Sequence, residues 1–556
     1  MSDTPAAAAD PAVDDAPDMK LFWACFIALI ATAFGFIIRA FLMGTWADEF
    51  GFTETQKGEI FGVGLWPFAI SIVLFSLVID RIGYGVAMVF AFVAHCASAA
   101  LTIAVPFLVG EGENVDSNLA YWLLYAANFI VALGNGTIEA VVNPVVATMF
   151  RRDKTKWLNI LHAGWPGGLV LAGAITILMG DDINWQYKVA LMFLPVIAYG
   201  VLMLGAKFPV SERVSSGVSY KEMLREFGMG GALIVSYLMF TEISRVFGIP
   251  PVVTWIAIAV ATIGFGAAVG FALGRPLFLL LLLIMVPLAS TELGVDSWIE
   301  ELMKKPVEQD LGIKSGWVLV YTSLIMMVLR FFAGPIVHKI SPLGLLAVSS
   351  VLAIIGLFSL SAATGVAILL AATIYAFGKT FFWPTMLGVV AEQFPRGGAL
   401  TLNAAGGVGM LGVGVVGAQI LGYWVDKGVG EEYAATYPEA AAEVVVEQPW
   451  AFGSVETVSA DALEARPAAE QAFIETATED EKKETLATVT IFPMIMLACY
   501  LGLIAYFKTR GGYQAEVITS DDGTIEQVVE HTPADPVPAG ASEEQFTGGV
   551  EGPAGK

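Results

Sequence analysis

Residues 76–85 read SLVIDRIGYG, an apolar run that stops at Asp80 and Arg81, turns at Gly83 and gives way to a second apolar run. A short charged hinge between two long hydrophobic stretches is what a helical hairpin in a bilayer requires, because a helix crosses the roughly 30 Å hydrocarbon core with about 20 mainly apolar residues. Outward from this hinge, apolar runs of that length recur near 21–46, 58–79, 85–109, 120–149, 157–179 and 187–206. Two more lie near 229–247 and 252–273, and a further six near 276–300, 316–338, 343–362, 366–391, 399–424 and 486–507. The chain is 56% hydrophobic over 556 residues, and the alternating pattern of a membrane barrel is absent. Helices are therefore the expected spanning elements.

The expected architecture is an all-α membrane protein of about 14 spans, in which two six-helix bundles (21–206 and 276–507) flank a connector with two extra helices (207–275). A long acidic, Ala-rich loop (426–484), with an amphipathic piece near 462–477, interrupts the second bundle and is expected to be partly ordered. Residues 1–20 and 508–556 read as disordered tails. The net charge of -23 resides mostly in these tails and this loop. Arg81, the cluster RRDKTK at 151–156, the connector basics, Lys339, Arg396, Lys508 and Arg510 fall on one side. The positive-inside rule makes that side, and both termini, cytoplasmic in a cell membrane, with Lys304, Lys305 and Lys314 as exceptions. No basic region precedes the first apolar run, so that run is expected to stay as a span rather than be cleaved. Cys25, Cys96 and Cys499 sit in apolar runs without metal or disulfide spacing.

The hinge has an echo. GPIVHKISPLG at 334–344 also joins the second and third spans of its bundle, with His338 and Lys339 where the first copy has Asp80 and Arg81. This repeated loop resembles the cytoplasmic signature of the major facilitator superfamily, small-x-x-x-Asp-Arg-x-Gly, although Ser76 replaces the usual first Gly. The resemblance implies a transporter whose two bundles enclose a midplane site, lined by the first and fourth helices of each bundle. Those helices carry Arg39, Glu139, Glu292 and Lys379, and each charge at mid-membrane costs about 2.5–3.5 kcal/mol on insertion scales. Counting along the helices at about 1.5 Å per residue suggests two pairs across the bundles, Glu139 with Lys379 and Arg39 with Glu292. Alternating gates and static packing pairs are both open readings.

GNGTIEAVVNP at 134–144 resembles the fourth helix of the fucose permease branch, the sugar–proton symporters, through Gly134, Gly136, Glu139, Asn143 and Pro144. Pro144 frees a backbone carbonyl, and Glu139 either binds sugar hydroxyls or carries the proton. Asn159 and His162 in WLNILHAGWPGG (157–168) match the fifth helix, and STELGVDSWIEEL (290–302) with Glu292 and Trp298 matches the seventh. His162 reads as an interfacial histidine beside the RRDKTK loop or as a proton relay, Trp298 equally as a belt anchor, and Trp383 with Pro384 as a sugar-stacking face or a packing element. The first helix departs from the branch: it carries Arg39 and no mid-span acid, which leaves an anionic solute such as a sugar acid open. Glu242 and Arg245, three apart on the first extra helix, read as an internal pair near the outer surface.

The implied function is secondary transport of a small polar solute, a sugar first, with proton symport, by a monomer that touches lipid and no nucleic acid. No cofactor and no metal is expected. A drug or metabolite antiporter finds only a weak echo in GWPGG. A non-transporting receptor on the same scaffold is the reading from another class. No HExxH, G-x-S-x-G or phosphate-binding G-x-x-x-x-G-K-[ST] occurs, which argues against an enzyme or an ATP-driven pump.

Overall fold

A computed structural model describes residues 17–110, 115–296, 307–308, 312–450, 453–518 and 525–528. Trp298, Lys304, Lys305 and the outermost tail residues lie outside them. The spans are α1 (Met19–Phe50), α2 (Gln56–Ile82), α3 (Tyr84–Val109), α4 (Ser117–Met149), α5 (Lys154–Met179), α6 (Trp185–Met203), α7 (Tyr220–Phe247), α8 (Pro251–Val269) and α9 (Pro276–Gly294). They continue with α10 (Gly316–Phe331, bent by 62° into Ala333–Ile340), α11 (Pro342–Ala362), α12 (Ala367–Gln393), α13 (Pro395–Thr436) and α14 (Ala468–Lys508). The count is 13, or 14 with the bent pair as one span, among the described residues.

Close helix approach comes from missing side chains. A Cβ on Gly136 of α4 would stand 2.2 Å from the Phe68 carbonyl oxygen, so only glycine lets α4 lie against α2 here. The same holds between the two halves of the chain: a Cβ on Gly388 of α12 would meet Thr155 Oγ1 of α5 at 2.3 Å.

Two expectations are corrected. The 426–484 loop is largely regular, because α13 and α14, at 42 and 41 residues, run on well beyond the length that a span needs. Between them lie a helix (Pro438–Val444) and an antiparallel hairpin, β1 (Val445–Trp450) with β2 (Gly453–Val458), in the register Val445 to Val458. The amphipathic 462–477 piece mostly forms the start of α14, tied to α13 by a Tyr433 hydroxyl that donates to Glu470 at 2.6 Å. Nor is the tail featureless from 508. Strand β3 (Ala515–Ile518) pairs with β4 (Ile525–Val528), and β3 docks on the basic face of the bundle. Backbone groups there find buried partners: the Ile518 N–H donates to Glu212 Oε1 at 3.1 Å and the Gln514 carbonyl accepts from Gln393 Nε2 at 2.7 Å.

Candidate functional site

Pro144, Pro166 and Pro384 interrupt helices that meet at the centre, and each frees the carbonyl four residues earlier because it has no N–H. A buried carbonyl without a donor is costly, so each freed group should have found one. Pro144 frees Ala140, which accepts from Asn403 Nδ2 of α13 at 2.9 Å. Pro166 frees His162, which accepts from Arg330 Nη1 of α10 at 2.7 Å. Pro384 frees Thr380, which accepts from Arg330 Nε at 2.7 Å. The first two bonds join the two halves of the chain. Arg330 also donates to Glu292 at 2.9 Å and is 2% exposed, so one guanidinium satisfies two broken helices and one carboxylate.

The cross-bundle pairs expected from helix counting do not form. Glu292 pairs with Arg330, and Lys379 with Asp296, so both ion pairs lie within the C-terminal half. The reason is rotational, since rise along a helix fixes depth but not the direction a side chain points. Glu139 and Arg39 are left with neutral partners. Glu139 accepts from Asn143 Nδ2 at 2.7 Å, and Asn143 Oδ1 faces His162 Nε2 at 2.9 Å. With the amide nitrogen committed to Glu139, the amide oxygen accepts and His162 carries its proton on Nε2. Arg39, 5% exposed, donates from Nη2 to Ser98 at 2.5 Å, and its Nε has no partner among the described residues.

These residues border a cavity of about 540 Å³, within the range that holds small organic ligands. Arg39, Glu139, His162, Glu292, Asp296, Arg330 and Trp383 line it, and from its other end Phe61, Gly62 and Gly64 at the acidic-face start of α2. It therefore reaches from mid-span towards the acidic face. Trp383 lies flat against α13, where a Cβ on Gly409 would come within 2.8 Å of its ring, and its backbone N–H donates to Glu292 at 3.1 Å. Asn143, Asn159 and Lys379 are not in the lining. Asn143 stands behind Glu139, Lys379 is fully buried against Asp296, and Asn159 donates to Thr385 across the halves at 3.1 Å.

Towards the basic face the halves are closed. The Thr155 N–H donates to Glu392 at 3.0 Å, Lys154 Nζ to the Ala391 carbonyl at 3.1 Å, and the tail adds a Tyr513 hydroxyl to the other Glu392 oxygen at 2.7 Å. Lys154 also meets Glu212 of the connector at 2.8 Å. The hinge residues work beside this closure. Asp80 accepts from Arg213 at 2.6 Å, Arg81 lies 4.5 Å over the Tyr220 ring of α7, and Gly83 takes a positive φ of 82°. In the second copy His338 stands 4.0 Å from Asp153 of the other half, while Lys339 is exposed. Sequence reasoning passed over Arg330 and Asp296. The signal for Arg330 was a lone basic residue in VLRFFAGP at 328–335, inside an apolar run, with unpaired carbonyls owed by Pro166 and Pro384.

The sequence model of the Major Facilitator Superfamily matches residues 24–427. No curated relative matches. Among solved structures, the chain resembles the E. coli proton:xylose symporter XylE bound to 6-bromo-6-deoxy-D-glucose, with a TM-score of 0.57 at 13% identity over 87% of this chain and 95% of that one. It resembles the E. coli fucose:proton symporter FucP with 0.50 at 13% over 87% and 99%, and the human organic anion transporter MFSD10 (TETRAN) with 0.53 at 12% over 87% and 100%. At these identities the likeness shows the fold.

Proposed function

The chain belongs to the major facilitator superfamily, and on that premise we propose that it is a secondary active transporter that carries a small polar solute by alternating access with proton symport. The observation that supports this most is a midplane cavity closed towards one face, with Glu139 and Arg39 both free of ion-pair partners among the described residues. In this reading the two six-helix bundles rock about the cavity, the basic face is cytoplasmic, and the monomer sits in the cell membrane. Glu139 carries the proton, and the Asn143–His162 chain orients its carboxylate. Arg39, Glu292 and Trp383 contact solute, whereas Lys379 and Asn159 hold the scaffold. Xylose and fucose, the sugars named for the resembling symporters, are the first solutes to test.

A second reading concerns the charge of the cargo. Arg39 is a buried cation whose Nε has no partner among the described residues, and a carboxylate on the solute would supply an acceptor. A sugar acid fits this arrangement better than a neutral sugar.

The test is proton movement into proteoliposomes containing an internal pH dye, with sugars, sugar acids and dipeptides added singly. Acidification that depends on one solute is expected. Uptake of a labelled solute without acidification would remove the proton from the mechanism, and no flux of any solute would favour the receptor reading.

A further inference from the structure

The first inserted helix, whose two charges read from sequence only as an internal pair near the outer surface, borders the cavity. The outer end of α7 delivers Glu242 and Arg245 into the same lining as Arg39 and Arg330. It touches both halves there: Phe247 meets the Trp66 ring of α2 edge-on at 5.9 Å, and the Glu242 carboxylate lies over Gly414 of α13, where a Cβ would be 3.8 Å away. It thus lies along the seam between α2 and α13. Space-filling at the seam needs only apolar side chains. Instead the helix carries two charges whose insertion is costly.

Their geometry is specific. Arg245 donates to Glu242 from Nε at 3.0 Å and from Nη2 at 2.6 Å, a bidentate clamp that occupies both carboxylate oxygens. Glu242 is buried at 4% exposure, whereas the Arg245 side chain is half exposed. Of five guanidinium N–H groups, the clamp uses two and leaves three without a partner among the described residues. The clamp therefore holds the buried carboxylate against Arg245 and leaves guanidinium donors free on its more exposed side.

We propose that α7 is a third wall of the transport path, and that Arg245, positioned by Glu242, contacts the solute at the outer rim of the cavity through groups that accept hydrogen bonds, carboxylates or hydroxyls. This rests on the transporter reading, and the test separates the two. In a background with Cys25, Cys96 and Cys499 replaced by alanine, single cysteines are placed at Ala40→Cys in the cavity, at Val253→Cys on the lipid-facing side of α8, and at Arg245→Cys combined with Glu242→Gln so that no buried charge is stranded. Each is treated from the acidic side with membrane-impermeant methanethiosulfonates, one sulfonated and one quaternary ammonium. Reaction at positions 40 and 245, and none at 253, is expected. Reaction at 40 without 245 overturns the proposal and leaves the cavity reading standing, and absence of reaction at both overturns the two together. Reaction at 253 overturns the proposal too, because the reagent then reports no cavity.

A second readout addresses charge, which a packing role would not move. The ratio of sulfonate to ammonium rates at Ala40→Cys should rise about tenfold when Glu242→Gln frees the Arg245 charge, and fall below the parent ratio with Arg245→Gln. A ratio indifferent to both changes overturns the proposal even where position 245 is reachable.

Discussion

The two halves of the chain handle buried charge in opposite ways. In the C-terminal half each cavity carboxylate among the described residues has a cation of its own: Glu292 has Arg330 and Asp296 has Lys379. In the N-terminal half Glu139 and Arg39 have an amide and a hydroxyl instead. A paired half is complete without a ligand. A half that keeps an anion and a cation apart, each with neutral neighbours, receives its counter-charges, in the proposed mechanism, from a proton and from a solute. In the proposed mechanism the unpaired half supplies the proton carrier and the partner for a solute charge, while the paired half holds the fold and offers Glu292 and Trp383 to the solute.

The hardest way to break this comparison is at Arg330. Arg330→Met strands the Glu292 carboxylate and two proline-freed carbonyls, and removing one member of a buried pair costs about 3–5 kcal/mol. Thermal unfolding in detergent should show a protein that barely folds, and Arg330→Met with Glu292→Leu should recover only part of the loss. A single variant as stable as the parent would mean the C-terminal half is not held by its own charges. Glu139→Gln tests the other half and should leave the melting temperature nearly unchanged, because an amide still accepts from Asn143. It should abolish accumulation driven by a pH step, which for one proton per solute is about tenfold per pH unit. Accumulation that persists in this variant would move the proton elsewhere. Arg39→Gln sharpens the contrast further: the protein folds, neutral sugars retain their KM, and a sugar acid loses affinity by about 1.5–3 kcal/mol, the range for a charged hydrogen bond. Equal loss for both solutes would deny Arg39 a role in charge selection.

The smallest effect lies outside the membrane, where Lys314 of the second half donates to Asp181 of the first at 2.8 Å. That hydrogen bond and charge hold the Asp181 carboxyl below its ordinary range. A depressed folded value means that the contribution is present above the unfolded pKa and is lost as pH falls through the folded one. Lys314→Ala should therefore cost under about 1 kcal/mol at neutral pH, since both groups are exposed. In acid strong enough to protonate Asp181 the variant and parent should melt together. A larger cost at neutral pH would show that the outer rim, and not only the interior, ties the halves.

The spans were legible because twenty apolar residues in a row have few other uses. Glu139, Arg39, Glu292 and Lys379 stood out for the same reason, each a charge among residues that exclude water. Their partners were not legible. Pairing depends on how each helix is rotated against a neighbour far away in sequence, and depth along an axis carries no such information. Arg330 was hidden differently, since its importance lies in what Pro166 and Pro384 leave undone on two other helices. The outer cap was misjudged because acidic, Ala-rich composition reads as loop while also suiting helices that extend beyond the bilayer. The docked tail strand was missed because Tyr513 to Ile518 is only six residues, too short to stand out against the polar composition that follows.

The proline-freed carbonyls also bear on how fast the molecule can change state. Ala140 and His162 take their donors from the opposite half, so rocking the halves apart at the basic face removes both hydrogen bonds at once. Water entering the new cleft is the replacement donor at hand, and without it two buried acceptors remain bare. Switching is then a wetting event as much as a rigid rotation. Its rate should fall as solvent is withdrawn by excluded osmolytes, and a rate insensitive to osmotic pressure would mean that the two carbonyls keep protein donors throughout.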